Sequence, residues 1–84
     1  MNKHEILNQA LQQRIDEVIG YQIHIDNYQL AILHIDQMQD FELSDFRQRL
    51  IDLLASEKLE QKKAKVMLYV IEQQLKEYPC STSE

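Results

Sequence analysis

The stretch YQIHIDNYQLAILHID, residues 21–36, decides how this chain folds. Apolar side chains recur in it at steps of three and four, which is the spacing of one face of an α-helix. The same series extends back toward the N-terminus at alternating steps of four and three, the pattern of a coiled-coil seam. It predicts one helix from about Lys3 to Gln39, with a seam formed by Leu7, Leu11, Arg14, Val18, Tyr21, Ile25, Tyr28, Ile32 and Ile35.

The main alternative for this region is a β-hairpin. YQIHI alternates apolar and polar residues, Asp26-Asn27 provides a turn, and YQLAI provides a returning strand. Asp-Asn is a weaker turn signal than Asn-Gly or Asp-Gly, and the strands explain only the middle of the longer pattern, so the helix is favoured. Gly20 costs such a helix about 1 kcal/mol relative to Ala, which suggests close packing against another backbone.

A second apolar set lies a quarter to a third of a turn from the seam and comprises Ile15, Ile19, Ile23, Leu30 and Leu33. Two apolar faces predict burial on two sides, as in a bundle of three or more helices. The helix would be about 55 Å long, whereas a compact chain of 84 residues has a radius of gyration of about 12 Å. We therefore expect a second copy to cover the far end, giving a homodimer.

The remainder of the chain predicts a return arm. DFELSD, residues 40–45, reads as a turn with Ser44 as the N-cap of the next helix. Apolar residues then follow at helical spacing, and Ser56 allows a second N-cap that would break the arm in two. Pro79 ends the arm, so residues 1–78 form a helical hairpin or three-helix domain and 79–84 a disordered tail. The apolar positions are Phe46, Leu50, Leu53, Leu54, Ala64, Leu68, Ile71, Leu75 and Tyr78, widened by Val66, Met67 and Val70.

Charge is unevenly distributed in this acidic chain, whose formal net charge is −5. Residues 15–46 contain seven acidic residues and no Lys or Arg, whereas four lysines lie close together at Lys58, Lys62, Lys63 and Lys65. In a hairpin we expect these lysines to face Asp16, Glu17 or Asp26. The most acidic point is the predicted hairpin tip, a candidate partner-binding site formed by Asp36, Asp40, Glu42 and Asp45.

The residues that carry chemistry do not form a recognisable catalytic or metal pattern. His24 and His34 each precede an Asp by two residues, which places the two side chains about 200° apart on a helix, whereas a helical metal pair requires spacings of three or four. There is no Gly-rich phosphate loop, and the single Cys80 has no positioned base. We expect no enzyme activity, metal or cofactor. Protonation of the histidines near an interface, loosening it, is a further hypothesis, and Tyr69 is a candidate exposed contact.

These features predict a small, acidic, non-catalytic protein-interaction module that acts through a self-associating helical bundle. Its dimer and core seam would use Val18, Tyr21, Ile25, Tyr28, Ile32 and Ile35. The alternative is a phage-type inhibitor that blocks a basic, nucleic-acid-binding effector through its acidic surface. In size, charge and helicity the chain resembles such anti-restriction and anti-CRISPR antagonists. A scaffold or assembly subunit has the same signature. We expect a cytoplasmic location, no membrane span and no direct nucleic-acid binding.

Overall fold

The computed structural model describes residues 2–77, which form two long antiparallel helices joined by a short turn. Helix α1 runs over Lys3–Met38, a 3₁₀ turn over Phe41–Leu43, and helix α2 over Ser44–Glu77. The hairpin measures 65 × 17 × 14 Å. The predicted all-α fold is confirmed, and no strand occurs within residues 2–77. The predictions for Tyr78, Pro79, Cys80 and the tail lie outside the described residues.

Both ends of α1 fall within one residue of the predicted positions. At its start, the Asn2 side chain accepts a hydrogen bond from the Glu5 backbone N–H at 2.8 Å, which satisfies one of the unpaired donors of the first turn. At its end, Gln39 adopts a left-handed conformation with φ 56° and donates its backbone N–H to the Ile35 carbonyl at 3.3 Å. This is a common helix stop, although glycine is the residue that usually occupies it.

The turn into α2 differs from the predicted one in how it is capped. The Asp40 side chain accepts a hydrogen bond from the Glu42 backbone N–H at 2.9 Å and so caps the start of the 3₁₀ turn. The predicted role of Ser44 as an N-cap is wrong, because Ser44 is already helical and its hydroxyl donates back to the Phe41 carbonyl at 2.8 Å. Helix α2 is continuous through Ser56, so the return arm is one helix without the break that Ser56 allowed.

The core lies between the two helices. The α1 seam predicted from the sequence is the set that packs there: Leu7, Ile25 and Ile35 are buried, and the other seam residues are half-buried. Because α2 has 34 residues and α1 has 36, α2 accompanies α1 along nearly its full length. The seam is therefore covered by its own chain, and the expected overhang of α1 is absent. Dimerisation stays a prediction.

Candidate protein-interaction surfaces

The outer side of α1 carries a row of exposed aliphatic side chains. We name Ile19, Ile23, Leu30 and Leu33 the α1 stripe; each of them is more than half exposed. They belong to the second apolar set predicted from the sequence, whose fifth member, Ile15, is half-buried. Ile23 precedes the buried Ile25 by two residues, so its side chain points about 200° away, toward the side remote from α2. The hairpin leaves this second apolar face of α1 uncovered.

The acidic residue inside the α1 stripe is Asp26, which continues its alternating steps of four and three. Its recorded contact is a hydrogen bond accepted from the Gln22 side-chain amide at 2.9 Å. Within residues 2–77, none of the ion pairs involves Asp26. An acidic group in the middle of an exposed apolar row favours a partner that presents a basic group at the same level.

Helix α2 also has an exposed outer face, and the sequence had predicted that several of its residues would be buried. Val66, Met67 and Val70 were predicted to widen the buried face, and that prediction is wrong because all three are exposed. Phe46 and Leu53 are likewise exposed, as is Leu59, and Tyr69 is exposed as the sequence predicted. The residues of α2 that lie toward α1 are six of the predicted apolar positions together with two polar residues that were not predicted, Glu57 and Gln61. The six are Leu50, Leu54, Ala64, Leu68, Ile71 and Leu75.

Polar residues occupy the middle of this α2 series, so the apolar spacing in the sequence does not continue through it. Gln61 is buried and donates its side-chain amide to the Val18 carbonyl at 3.1 Å and to the Gln22 side-chain oxygen at 2.9 Å. Both hydrogen bonds of the Gln61 side-chain N–H group are therefore made to polar atoms of α1. A buried amide whose N–H groups donate twice to α1 favours one register of the two helices over its neighbours, because sliding the helices would leave these donors unpaired.

His24 faces α2 of its own chain. Its Nδ1 lies 3.4 Å from a carboxylate oxygen of Glu57, an atom that is buried and lacks a hydrogen-bond partner. The sequence placed His24 beside an interface between copies, whereas in the hairpin its nearest charged neighbour belongs to its own chain. His34 is exposed on the same helix.

At the hairpin tip the structure places the four predicted acidic residues, Asp36, Asp40, Glu42 and Asp45, on exposed positions. Arg47 donates to both carboxylate oxygens of Asp36, at 2.6 Å and 3.3 Å. This hydrogen bonding holds the pKa of Asp36 below its ordinary value and raises the pKa of Arg47. Arg47 therefore offsets one of the four negative charges at the tip, whereas Asp40 keeps its charge while it accepts the hydrogen bond of the turn.

The tip also carries a residue that sequence reasoning missed. Phe41 is 93% exposed and belongs to the 3₁₀ turn, whose hydrogen bonds hold the backbone on either side of it. A large aromatic side chain in that position is a frequent anchor in protein interfaces. The available signal was its place between two acidic residues in the predicted turn, but neither periodicity nor charge indicates whether a turn aromatic folds back onto its helices.

The lysine cluster lies beside α1 without pairing to its acidic residues. Lys58, Lys62 and Lys65 line an open groove with Gln22 and Gln29, and Lys63 pairs with Glu60 of its own helix at 3.2 Å. Glu17 is paired with Arg14 at 2.9 Å. The predicted lysine contacts to Asp16, Glu17 and Asp26 are absent from the ion pairs of residues 2–77. Polar glutamines occupy the facing positions instead.

Fold and surfaces together define an antiparallel two-helix hairpin with apolar faces on its outer sides. The chain matches no protein-family model, and neither the curated proteins nor the solved structures contain a significant match to it. Within residues 2–77, no group of three or more His, Cys, Asp or Glu side chains is arranged to hold a metal ion. Neither helix, over the same residues, has an apolar run long enough to cross a bilayer.

Proposed function

We propose that this protein is a non-catalytic protein-interaction module that self-associates through the outer faces of its hairpin, in the cytoplasm. The observation that carries the proposal is the α1 stripe, four aliphatic side chains that stay more than half exposed while the seam of α1 packs against α2. Only six apolar side chains of residues 2–77 are buried. So small a core is a common reason for short chains to associate.

The energetics indicate what kind of surface covers the α1 stripe. Removing the exposed half of each side chain from water contributes about 1 kcal/mol, or about 4 kcal/mol for all four. Association itself costs at least about 4 kcal/mol in lost translational and rotational freedom. The stripe therefore does not bind a polar surface stably. A second apolar stripe adds its own buried area and can place a positive charge opposite Asp26. Together these provide the binding free energy that the α1 stripe alone lacks.

The inhibitor alternative receives less support from the tip geometry. A mimic of phosphates needs carboxylates that are available to a basic groove. Asp36 is held by Arg47 and Asp40 by the turn. The tip carboxylates that stay available are therefore Glu42 and Asp45. The acidic residues of α1 remain exposed, but Asp16, Asp26 and Asp36 are ten residues apart and step around the helix rather than forming one straight row. Blocking of a basic effector is therefore the second candidate.

Sedimentation velocity over a range of micromolar concentrations tests self-association. We expect the sedimentation coefficient of the wild type to rise with concentration and that of Ile23→Ser to stay at the value of a single chain. Ile6→Ser is the matched control, because Ile6 is similarly exposed on α1 but lies outside the stripe. A wild-type chain that stays monomeric and folded throughout the range overturns the proposal.

A further inference from the structure

We propose that the α1 stripe of one copy is covered by the outer face of α2 of a second copy, in an antiparallel register that pairs Asp26 with Lys63. This inference rests on the proposed self-association and goes further by naming the surface, the register and the symmetry. We name Leu59, Lys63, Val66 and Val70 the α2 stripe; their side chains are between 40% and 62% exposed.

The two stripes have matching spacings. Read from Leu30 backwards, three residues of the α1 stripe and Asp26 follow at steps of four, three and four, as Leu30, Asp26, Ile23 and Ile19; the fourth stripe residue, Leu33, lies beyond this matched set. Read forwards, the α2 residues are Leu59, Lys63, Val66 and Val70, at the same steps. Antiparallel helices keep equal steps in register, since both have the same rise per residue. Leucine then faces leucine, the carboxylate faces the ammonium, and two isoleucines face two valines.

Charge selects this pairing over the symmetric ones. If two α1 stripes packed antiparallel around their centre, Asp26 would face its own copy, and like charges at an interface are strongly unfavourable. If two α2 stripes packed in the same way, Lys63 would face Val66 of the other copy, and no carboxylate would lie opposite it. Only the mixed pairing gives Asp26 a base. Lys63 is available for it, because its side chain is 61% exposed and its pair with Glu60 is a surface contact within one helix.

The positions of the stripes on the hairpin determine the symmetry of the assembly. The α1 stripe lies a quarter to a third of a turn from the buried seam of α1, whereas Val66 in the α2 stripe points away from the buried Ala64, so the stripes lie on different outer sides of the hairpin. A contact between the two stripes therefore uses different surfaces on the two copies. It is heterologous and propagates head to tail rather than closing as a twofold dimer.

The register also gives the displacement between neighbouring copies. Within one chain His24 lies level with Glu57, so the numbers of facing residues add to about 81. In the proposed contact they add to 89, as 26 plus 63 does. The difference of eight residues corresponds to a shift of about 12 Å along the helix axis. Neighbouring hairpins would then overlap over most of their 65 Å length.

A charge exchange on the full-length chain tests the pairing. Asp26→Lys alone and Lys63→Glu alone are each expected to weaken association about tenfold, because an attraction becomes a repulsion. The double variant is expected to recover association, and so is an equimolar mixture of the two single variants. Glu72→Lys and Lys65→Glu are matched controls that make the same charge changes outside the stripes. Urea unfolding at low protein concentration checks that every variant folds.

The outcomes separate this inference from the proposed function. A monomeric wild type overturns both. A wild type that associates, with single variants that associate equally well, overturns only the register. If Lys63→Glu abolishes association and adding Asp26→Lys does not restore it, the proposed register is also overturned, and a contact between two α2 helices is indicated.

Cross-linking provides a second measurement. In a Cys80→Ser background, chains with Ile23→Cys should cross-link to chains with Val66→Cys, and neither should cross-link to itself. Self-cross-linking of either variant would show a symmetric contact and overturn the head-to-tail assembly.

Discussion

Alanine substitution at Ile25 and Ile23 measures how far the two faces of α1 differ. The two residues are of the same type and lie two positions apart in one helix, yet Ile25 is 4% exposed and Ile23 is 54% exposed. Ile→Ala removes the equivalent of three methylene groups, which contribute about 2.4 kcal/mol when fully buried. At Ile25 a cavity term adds to this loss, and buried Ile→Ala changes cost about 2–5 kcal/mol.

At Ile23 less than half of that transfer contribution applies, about 1 kcal/mol. Alanine also has the better helix propensity, which offsets up to about 0.7 kcal/mol at either site. We therefore expect Ile25→Ala to lower the free energy of unfolding by about 2–4 kcal/mol and Ile23→Ala by less than about 1 kcal/mol in the isolated hairpin. The ratio between the two losses follows from exposure, because residue type and helix are the same.

Urea denaturation followed by far-ultraviolet circular dichroism gives both losses from the transition midpoints. The measurement is made first at a dilution at which the wild type is monomeric and then at a concentration at which it associates. At the higher concentration Ile23→Ala should lose additional stability, since binding to the folded state stabilises it. Equal losses for the two variants at high dilution would refute the assignment of the core face.

Three further predictions follow from single residues. Gly20→Ala is expected to raise the free energy of unfolding by about 1 kcal/mol, because an added Cβ meets nothing within 4 Å; a loss of stability in urea would contradict this. Asp36→Asn is expected to lower the unfolding temperature near neutral pH, because Arg47 holds the pKa of Asp36 below its ordinary value. The difference from the wild type should begin to shrink as pH falls below about 4 and should disappear only below the lowered folded-state pKa; a constant difference at every pH would contradict it. Gln61→Ala is expected to lower the free energy of unfolding by about 1–3 kcal/mol, because it removes the donor to the Val18 carbonyl. Urea unfolding measures this loss against Gln22→Ala, which should lower the free energy of unfolding by less; equal losses would argue against this role of Gln61.

The polar residues in the helix interface have a consequence for how the hairpin is specified. Gln61 and Glu57 occupy positions where an uninterrupted coiled coil carries apolar residues, and they lower the hydrophobic contribution of α2. In return, Gln61 finds its partners in only one register. A short, weakly apolar hairpin of this kind depends on such directional contacts more than a larger domain does, because few apolar side chains are buried.

Several elements could be predicted from the sequence because they depend on local spacing alone. The steps of three and four from Leu7 to Ile35 reflect the 3.6 residues of each helical turn, so α1, its seam and its second apolar face follow from the order of residues. The sequence also predicted the turn, at residues 40–45, although the structure begins α2 at Ser44. The exposure of Tyr69 followed from its place off the apolar spacing.

The sequence predicted most of the apolar residues of α2 that lie against α1, but only the tertiary structure decided how far that face extends around the helix. Apolar residues occur around much of α2, and polar Glu57 and Gln61 interrupt the series that faces inward, so periodicity placed Val66 and Val70 on the wrong face. The left-handed Gln39 and the 3₁₀ turn set the rotation of α2 about its axis. The pairing of Asp36 with Arg47, eleven residues apart, depends on the same rotation. Helical spacing is a property of each segment, whereas the rotation of one helix against another is set by the geometry of the connection and by long-range contacts.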